Sequence, residues 1–378
     1  RRHVPPGFEG ANYGTAHSLL IGFGPQFGAS LQLGKFLVVG GGWFVPWGGG
    51  SFRFARNERF ANSAYPGAAD GVARWHGYEA EARFLYTTAG AALRFGAFSV
   101  GATGNLIISS IASKRALTTS GTNDIAREQR ANVEASGIVG SFGLGVLVEI
   151  MPQQLWFGVS YQAQPGLGEL TLDGTYTIDA TVAIQDTTRT QQITMHQALP
   201  DVIRAGLRYR PFRMFELRLT SNFTRWSLNQ TQCVAIRNLP CTTNSDGSFA
   251  AGSGVIRNLR RNWNDTVGLR AGLSYWPTPN LETFAALSYE PAAIPDATLE
   301  PVAADANTIS GSVGVRLRLF ETWQIAVSYN HQQLLPRDNT GKSRLADPAI
   351  SALTRAVDGG GRYSSWFGAA NLNIAKTF

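Results

Sequence analysis

The sequence predicts an all-β chain, a transmembrane antiparallel β-barrel of about 14 strands. Apolar and polar residues alternate with a period of two over many segments, which is the spacing of a strand with one greasy and one wet face. Tight turns recur between longer polar loops, the rhythm of barrel hairpins with short connections on one membrane side. No stretch of the 378 residues approaches the ~18 uninterrupted apolar residues that a spanning helix needs, so a helical membrane protein is excluded. Composition agrees: 44% hydrophobic, 16% charged, 11% aromatic and 42 glycines fit neither a disordered chain nor a coiled coil. The mean hydropathy of -0.09 is neutral because averaging over two opposite strand faces cancels the signal.

The short turns come in order at 33–35, 96–97, 151–154, 211–214, 277–280 and 320–322. Between them the strands declare their faces. Leu155, Phe157, Val159 and Tyr161 share one face; Ile203, Ala205, Leu207 and Tyr209 alternate with Arg204, Gly206, Arg208 and Arg210. Val267, Leu269, Ala271, Leu273 and Tyr275 alternate with Thr266, Gly268, Arg270, Gly272 and Ser274, and Trp323, Ile325, Val327 and Tyr329 with Gln324, Ala326, Ser328 and Asn330. A soluble sandwich also alternates, but three features favour the membrane. Tyr or Trp often ends the apolar face, as in aromatic girdles. Some strands, such as 131–150, exceed ten residues. The last strand runs to Phe378, with Ala370, Leu372 and Ile374 outward and Asn371 and Asn373 inward, interrupted only by Lys376.

Charge and cysteines narrow the partners. The net charge of +7 comes from arginines spread along the chain, so a nucleic-acid partner is not expected; basic loops would meet acidic lipopolysaccharide and outer-membrane lipid. Cys233 and Cys241 lie close together in a polar segment, which suits a local disulfide in an oxidising compartment, with two unpaired loop thiols as the alternative. His3, His17, His76, His196 and His331 are scattered without metal or catalytic spacing, and no G-x-S-x-G elbow occurs. No metal, cofactor or covalent step is therefore expected. Gly22-Phe-Gly24-Pro-Gln-Phe-Gly28 has the wrong spacing for a dinucleotide loop and reads as strand packing.

Two groups could carry function. Gly40, Gly41 and Gly42, followed by Pro46, weaken a ladder and remove a donor, so the strand either kinks there or makes room for a bulky neighbour. The inward arginines, Arg204, Arg208, Arg210, Arg270, Arg316 and Arg318, could pair a ligand carboxylate bidentately or else pair lumen acids and tune anion preference. Trp156 and Phe284 could wall an apolar pocket or act as filler.

The segment Leu199-Pro-Asp-Val-Ile-Arg-Ala-Gly-Leu-Arg-Tyr-Arg-Pro211 resembles a strand of the FadL/TodX (OMPP1) family, outer-membrane transporters of long-chain fatty acids and hydrocarbons. Asn262-Trp-Asn-Asp-Thr through Leu287-Ser-Tyr-Glu-Pro291, with Ile294-Pro295 after it, resembles that family's next hairpin. Ser310-Gly-Ser-Val-Gly-Val-Arg316, Val327-Ser-Tyr-Asn-His331 and Trp366-Phe-Gly368 complete the order. The likeness is good over 195–378 and holds in outline over 17–170. It implies a 14-stranded barrel with an N-terminal hatch in the lumen. Thirteen strand candidates can be counted, so a first strand is expected within or before residues 1–14. Residues 1–16 then read as the remnant of a hatch or first strand, the hatch being absent or truncated, and 17–378 as one barrel domain. The segment 115–132, where the family has a long helical loop forming a ligand groove, is short, and Val302-Ala-Ala-Asp-Ala-Asn307 departs from the family's Leu-Pro-Asp. The family's kinked third strand, which lets a greasy substrate leave sideways, would fall at 36–46. The resemblance thus implies a monomeric barrel of the bacterial outer membrane that passively takes up hydrophobic small molecules, without enzymatic chemistry. A diffusion porin, an outer-membrane hydrolase and an adhesive barrel are the alternatives.

Overall fold

The computed structural model describes residues 4–20, 22–45, 50–117, 123–179, 188–244, 249–346 and 357–378. Among the described residues, eighteen strands form one antiparallel sheet. In chain order they are β1 (Phe27–Leu33), β2 (Leu37–Phe44), β3 (Gly50–Arg53), β4 (Glu79–Phe95), β5 (Phe98–Leu117), β6 (Gln129–Met151), β7 (Leu155–Gln162), β8 (Leu170–Asp179) and β9 (Arg189–Gln197). There follow β10 (Val202–Phe212), β11 (Phe215–Thr224), β12 (Thr231–Ile236), β13 (Val255–Arg260), β14 (Thr266–Thr278), β15 (Leu281–Glu290), β16 (Thr308–Leu319), β17 (Trp323–Asp338) and β18 (Arg362–Lys376).

Several of these strands share one position in the wall. β2 and β3 both pair with β4, and β7 and β8 both pair with β6. β9 and β10, β11 and β12, and β13 and β14 likewise divide a position, their lower halves linked as β7–β10–β11–β14 and their upper halves as β8–β9–β12–β13. The sequence of neighbours then continues regularly through β15, β16, β17 and β18. Among the described residues β1 pairs only with β2 and β18 only with β17. Counted through the antiparallel ladder, these two run in the same direction, so an antiparallel closure between them takes one further strand. Strong curvature is plain from packing: Phe84 and Tyr86 of β4 share one cluster with Val234 of β12, five positions away round the sheet.

The six tight turns lie where the pattern places them, and their backbones explain their residues. Gly34 and Gly96 have φ of 72° and 60°, the left-handed region in which a missing Cβ removes the steric cost. At 320–321 the turn holds Phe320 and Glu321 at 49° and 62°, left-handed despite their side chains.

Alternation sets the outer wall. Phe98, Val100, Leu106 and Ile108 of β5, Ile138, Phe142, Leu144 and Val146 of β6, and Val313, Val315 and Leu317 of β16 are large apolar side chains left exposed. From Phe98 to Ile108, ten steps of ~3.3 Å at a tilt near 40° span about 25 Å, the height of a membrane barrel's apolar band. Above that band the same outward rows turn polar, at Arg83, Ser110 and Ser136. The upper parts of β4, β5 and β6, with β8, β9, β12 and β13, therefore rise past the membrane as a one-sided wall.

That wall holds the largest buried cluster. Ile107, Leu170, Leu172 and Ile193 are fully buried with Met195, Val234, Phe84, Tyr86 and Tyr176, all on the inner face. Loops cap the same end. Arg74, with no exposed surface, donates to Glu128 Oε2 at 3.0 Å, to the Ala11 carbonyl at 2.7 Å and to Asn12 Oδ1 at 2.7 Å. Residues 4–14 form turns here, packed on Phe60, Ala68 and Ile125.

Candidate functional site in the barrel interior

The interior has two halves of opposite character. In the lower half, inward positions of β7, β10 and β11 bring Trp156, Arg208, Glu216 and Arg218 together. The fully buried Glu216 accepts from Arg208 Nη2 at 2.6 Å and from Arg218 Nε at 2.6 Å, and the Arg208 guanidinium lies 4.5 Å over the Trp156 ring. A second group forms on β15 and β16, where Arg316 Nη1 donates to Glu282 Oε2 at 2.5 Å and stacks 5.8 Å from the centre of Phe284. Glu216 and Glu282 neutralise Arg208 and Arg316, so these two arginines already have partners. Arg204 and Arg270 carry no hydrogen bond or ion pair among the described residues. Glu290, bonded by Asn222 at 3.0 Å, lies near Arg270. The six lumen residues named from the sequence thus fall into two separate pairs, with two arginines between them.

The upper half is apolar, and at its rim lies a group that sequence reasoning did not single out. Arg115 lies near the top of β5 on the same inward row as Asn105, Ile107 and Ser109, and Arg257 sits inward on β13. Both are nearly buried, at 6% and 8% exposure, and Arg115 Nε and Nη1 and Arg257 Nε have no hydrogen-bond partner among the described residues. Both lie within electrostatic reach of one carboxylate, Glu300, of Arg261, and of one ring of the apolar cluster, Tyr176. Arg261 Nη1 donates to Glu300 Oε1 at 2.5 Å, and His76 Nδ1 lies 3.5 Å from the other oxygen. Burial would raise the Glu300 carboxyl; Arg261 and His76 outweigh it and hold the group well below the ordinary carboxylate range. Three guanidinium groups face one carboxylate, which leaves buried positive charge and unused donors beside an apolar surface. Strand parity alone places Arg115 and Arg257 inward. Their convergence with Glu300, which sits at a loop turn, is invisible in a linear pattern.

Gly40, Gly41 and Gly42 lie in unbroken ladder, paired with Ser30, Ala29 and Gly28 on one side and Gly90, Ala89 and Thr88 on the other. Among the described residues, pairing with β4 covers Leu37–Phe44 and Gly50–Arg53. Pro46 lies outside the described residues. Cys233 and Cys241 are joined in a disulfide, with Cα atoms 6.4 Å apart, tying β12 to the loop that follows it.

The fold has counterparts among solved structures. A Pseudomonas aeruginosa FadL homologue superposes with a TM-score of 0.69 at 14% identity, over 92% of this chain and 76% of that one. The toluene transporter TodX of P. putida gives 0.64 at 13% identity over 94% and 82%, and the toluene transporter TbuX of Ralstonia pickettii 0.63 at 14% over 94% and 81%. At such identity these likenesses concern the fold. No protein of curated function matches the sequence. Residues 86–373 match the family model described as outer membrane protein transport protein (OMPP1/FadL/TodX). Most of the chain lies inside that match, and the protein accordingly belongs to the OMPP1/FadL/TodX family of outer-membrane transport proteins.

Proposed function

We propose that this barrel takes up hydrophobic small molecules with one acidic end, such as long-chain fatty acids, by passive transfer. The observation that carries this is the surplus of buried guanidinium donors, on Arg115 and Arg257, at the rim of an apolar interior. An alkyl chain that enters this apolar interior gains about 0.8 kcal/mol per buried CH2, and its carboxylate meets donors that otherwise go unpaired. Hydrocarbons such as those handled by the toluene transporters would use the apolar part alone. Release sideways into the membrane takes place beside the junction of β2 and β3, which share one position against β4. The protein works as a monomer in contact with outer-membrane lipid and lipopolysaccharide, and no chemical step is involved.

The test is binding of a fluorescent long-chain fatty acid and its methyl ester to the detergent-purified barrel. Arg115→Met and Arg257→Met are each expected to weaken the acid roughly ten- to a hundred-fold, the worth of one charge-assisted bond of ~1.5–3 kcal/mol, and to leave the ester nearly unchanged. Equal affinity of the variants and the native protein for the acid would sink this reading. The polar lower lumen favours a second reading, diffusion of small polar solutes; free passage of sugars in liposome swelling would support it.

A further inference from the structure

The wall has an interruption well away from β2. The β7–β10 ladder ends at Gln162↔Val202 and the β8–β9 ladder starts at Leu170↔Gln197, so 163–169 and 198–201 face each other without strand pairing. On the other side β6 runs past unbroken, pairing β7 up to Gly143 and β8 from Ser136. Between the two segments themselves one side-chain bond runs, from Gln164 Nε2 to the Leu199 carbonyl at 3.0 Å, while Tyr161 to Asp201 at 2.9 Å and His196 to Glu169 at 3.0 Å close its two edges. At the neighbouring break Arg225 grips Asp201 with bonds of 2.8 and 2.6 Å, and Trp226 stacks edge-on against Trp263.

The segment 163–169 bends toward the lumen. Inward-facing Ser141 donates to the Ala163 carbonyl at 2.8 Å, and Gly166 packs beside inward-facing Val139. The bend is strained, with Leu167 held at φ 55° and its apolar side chain left 65% exposed. Both mouths of the gap are greasy. Outside lie Ile138 and Phe142 of the membrane-facing band, and inside lie Ile107, Val139, Leu170 and Leu199 of the apolar cluster. Backbone groups without ladder partners are costly next to lipid, so such a gap persists only where something compensates it.

We propose that this inward bend is a second lateral port, through which hydrophobic molecules pass between the outer leaflet and the apolar interior, with Gln164 as its latch. The idea rests on the transport reading above. A molecule dissolved in the leaflet would reach Leu170 and Leu199 past Ile138 and Phe142 without crossing a polar layer. Swinging 163–169 breaks the bonds of Gln164 to Leu199, Ser141 to Ala163 and His196 to Glu169 and the Ala163–Phe142 backbone bond, but no strand ladder.

The test joins Gln164→Cys to Leu199→Cys with a bis-maleimide, the native cysteines being already paired. The folded barrel in lipid vesicles is then labelled from the membrane phase with an alkyl diazirine, and labelled residues are mapped by mass spectrometry. The unlinked barrel is expected to take label at Val139, Leu170 and Leu199 as well as at Ile138; the link should abolish the interior labels and keep the outer one. Interior labelling that ignores the link, or is absent without it, overturns the port. Should the paired variant fail to fold, Gln164→Ala removes only the latch and is expected to raise interior labelling; no rise overturns the proposal equally. Uptake of the same alkyl probe by the native barrel is measured alongside. Uptake with link-independent labelling sinks the port alone, and no uptake sinks the transport reading and the port with it.

Discussion

Replacing Gly42 by alanine probes how closely two strands of this wall approach. A Cβ built on Gly42 would clash with the Phe27 carbonyl oxygen and lie 3.0 Å from Gly28 Cα, both backbone atoms of β1. Restoring an ordinary carbon contact of ~3.5–4.0 Å requires β1 to retreat by roughly 0.5–1 Å. Ladder bonds near 2.9–3.0 Å would then stretch past the ~3.2 Å at which such bonds remain good, and one or two would be lost. At about 1 kcal/mol each, with strain added, the cost is ~1–3 kcal/mol. Gly28 sits directly opposite and is the control, because its Cβ would meet Gly41 O at an ordinary 3.7 Å. The assay is reversible urea unfolding in lipid vesicles, read by tryptophan fluorescence. Gly42→Ala should lower the unfolding midpoint while Gly28→Ala leaves it nearly in place. Equal midpoints for the two variants would refute the argument that backbone proximity, and not turn chemistry, is what glycine provides here.

Other outcomes follow from the same geometry. Leu172→Ala empties a fully buried position in the apolar cluster and should cost ~2–5 kcal/mol by the same unfolding assay; a loss under 1 kcal/mol would mean that the cluster is loosely packed. The Asp296 carboxyl is held below its usual range by bonds from Lys342 and Arg337. A depressed carboxyl contributes stability above its unfolded pKa near 3.9 and loses it as pH falls through the folded value. Hydrogen-exchange protection factors over 339–346, taken relative to the intrinsic rate at each pH, should therefore fall on acidification below about pH 4, and Asp296→Asn should lower them at neutral pH. Protection factors that stay flat with pH would show that the clamp does not hold the loop.

Particular elements show why some of this was legible beforehand. The faces of β10, β14 and β17 follow from period-two alternation, a local property that survives whatever the neighbours are. The turns at 33–35 and 96–97 announce themselves through glycines that the backbone uses at positive φ. The glycine run at 40–42 leaves two readings open for a physical reason: lack of a Cβ permits both a kink and room for a bulky neighbour. Pro165-Gly-Leu-Gly168 reads locally as a turn, yet nothing local says that 198–201 breaks opposite it.

The sequence by itself determined that this chain alternates between oil and water, turns sharply at one rim, and keeps its aromatics near the membrane surfaces. These are matters of nearest neighbours along a strand. The tertiary structure alone decided that Arg115, Arg257, Arg261 and Glu300 converge, that Arg208 and Arg316 have acids of their own, and that the upper interior is apolar. Each depends on curvature bringing together strands and loops distant in the chain, and a period of two carries no record of which strands will face each other across a lumen.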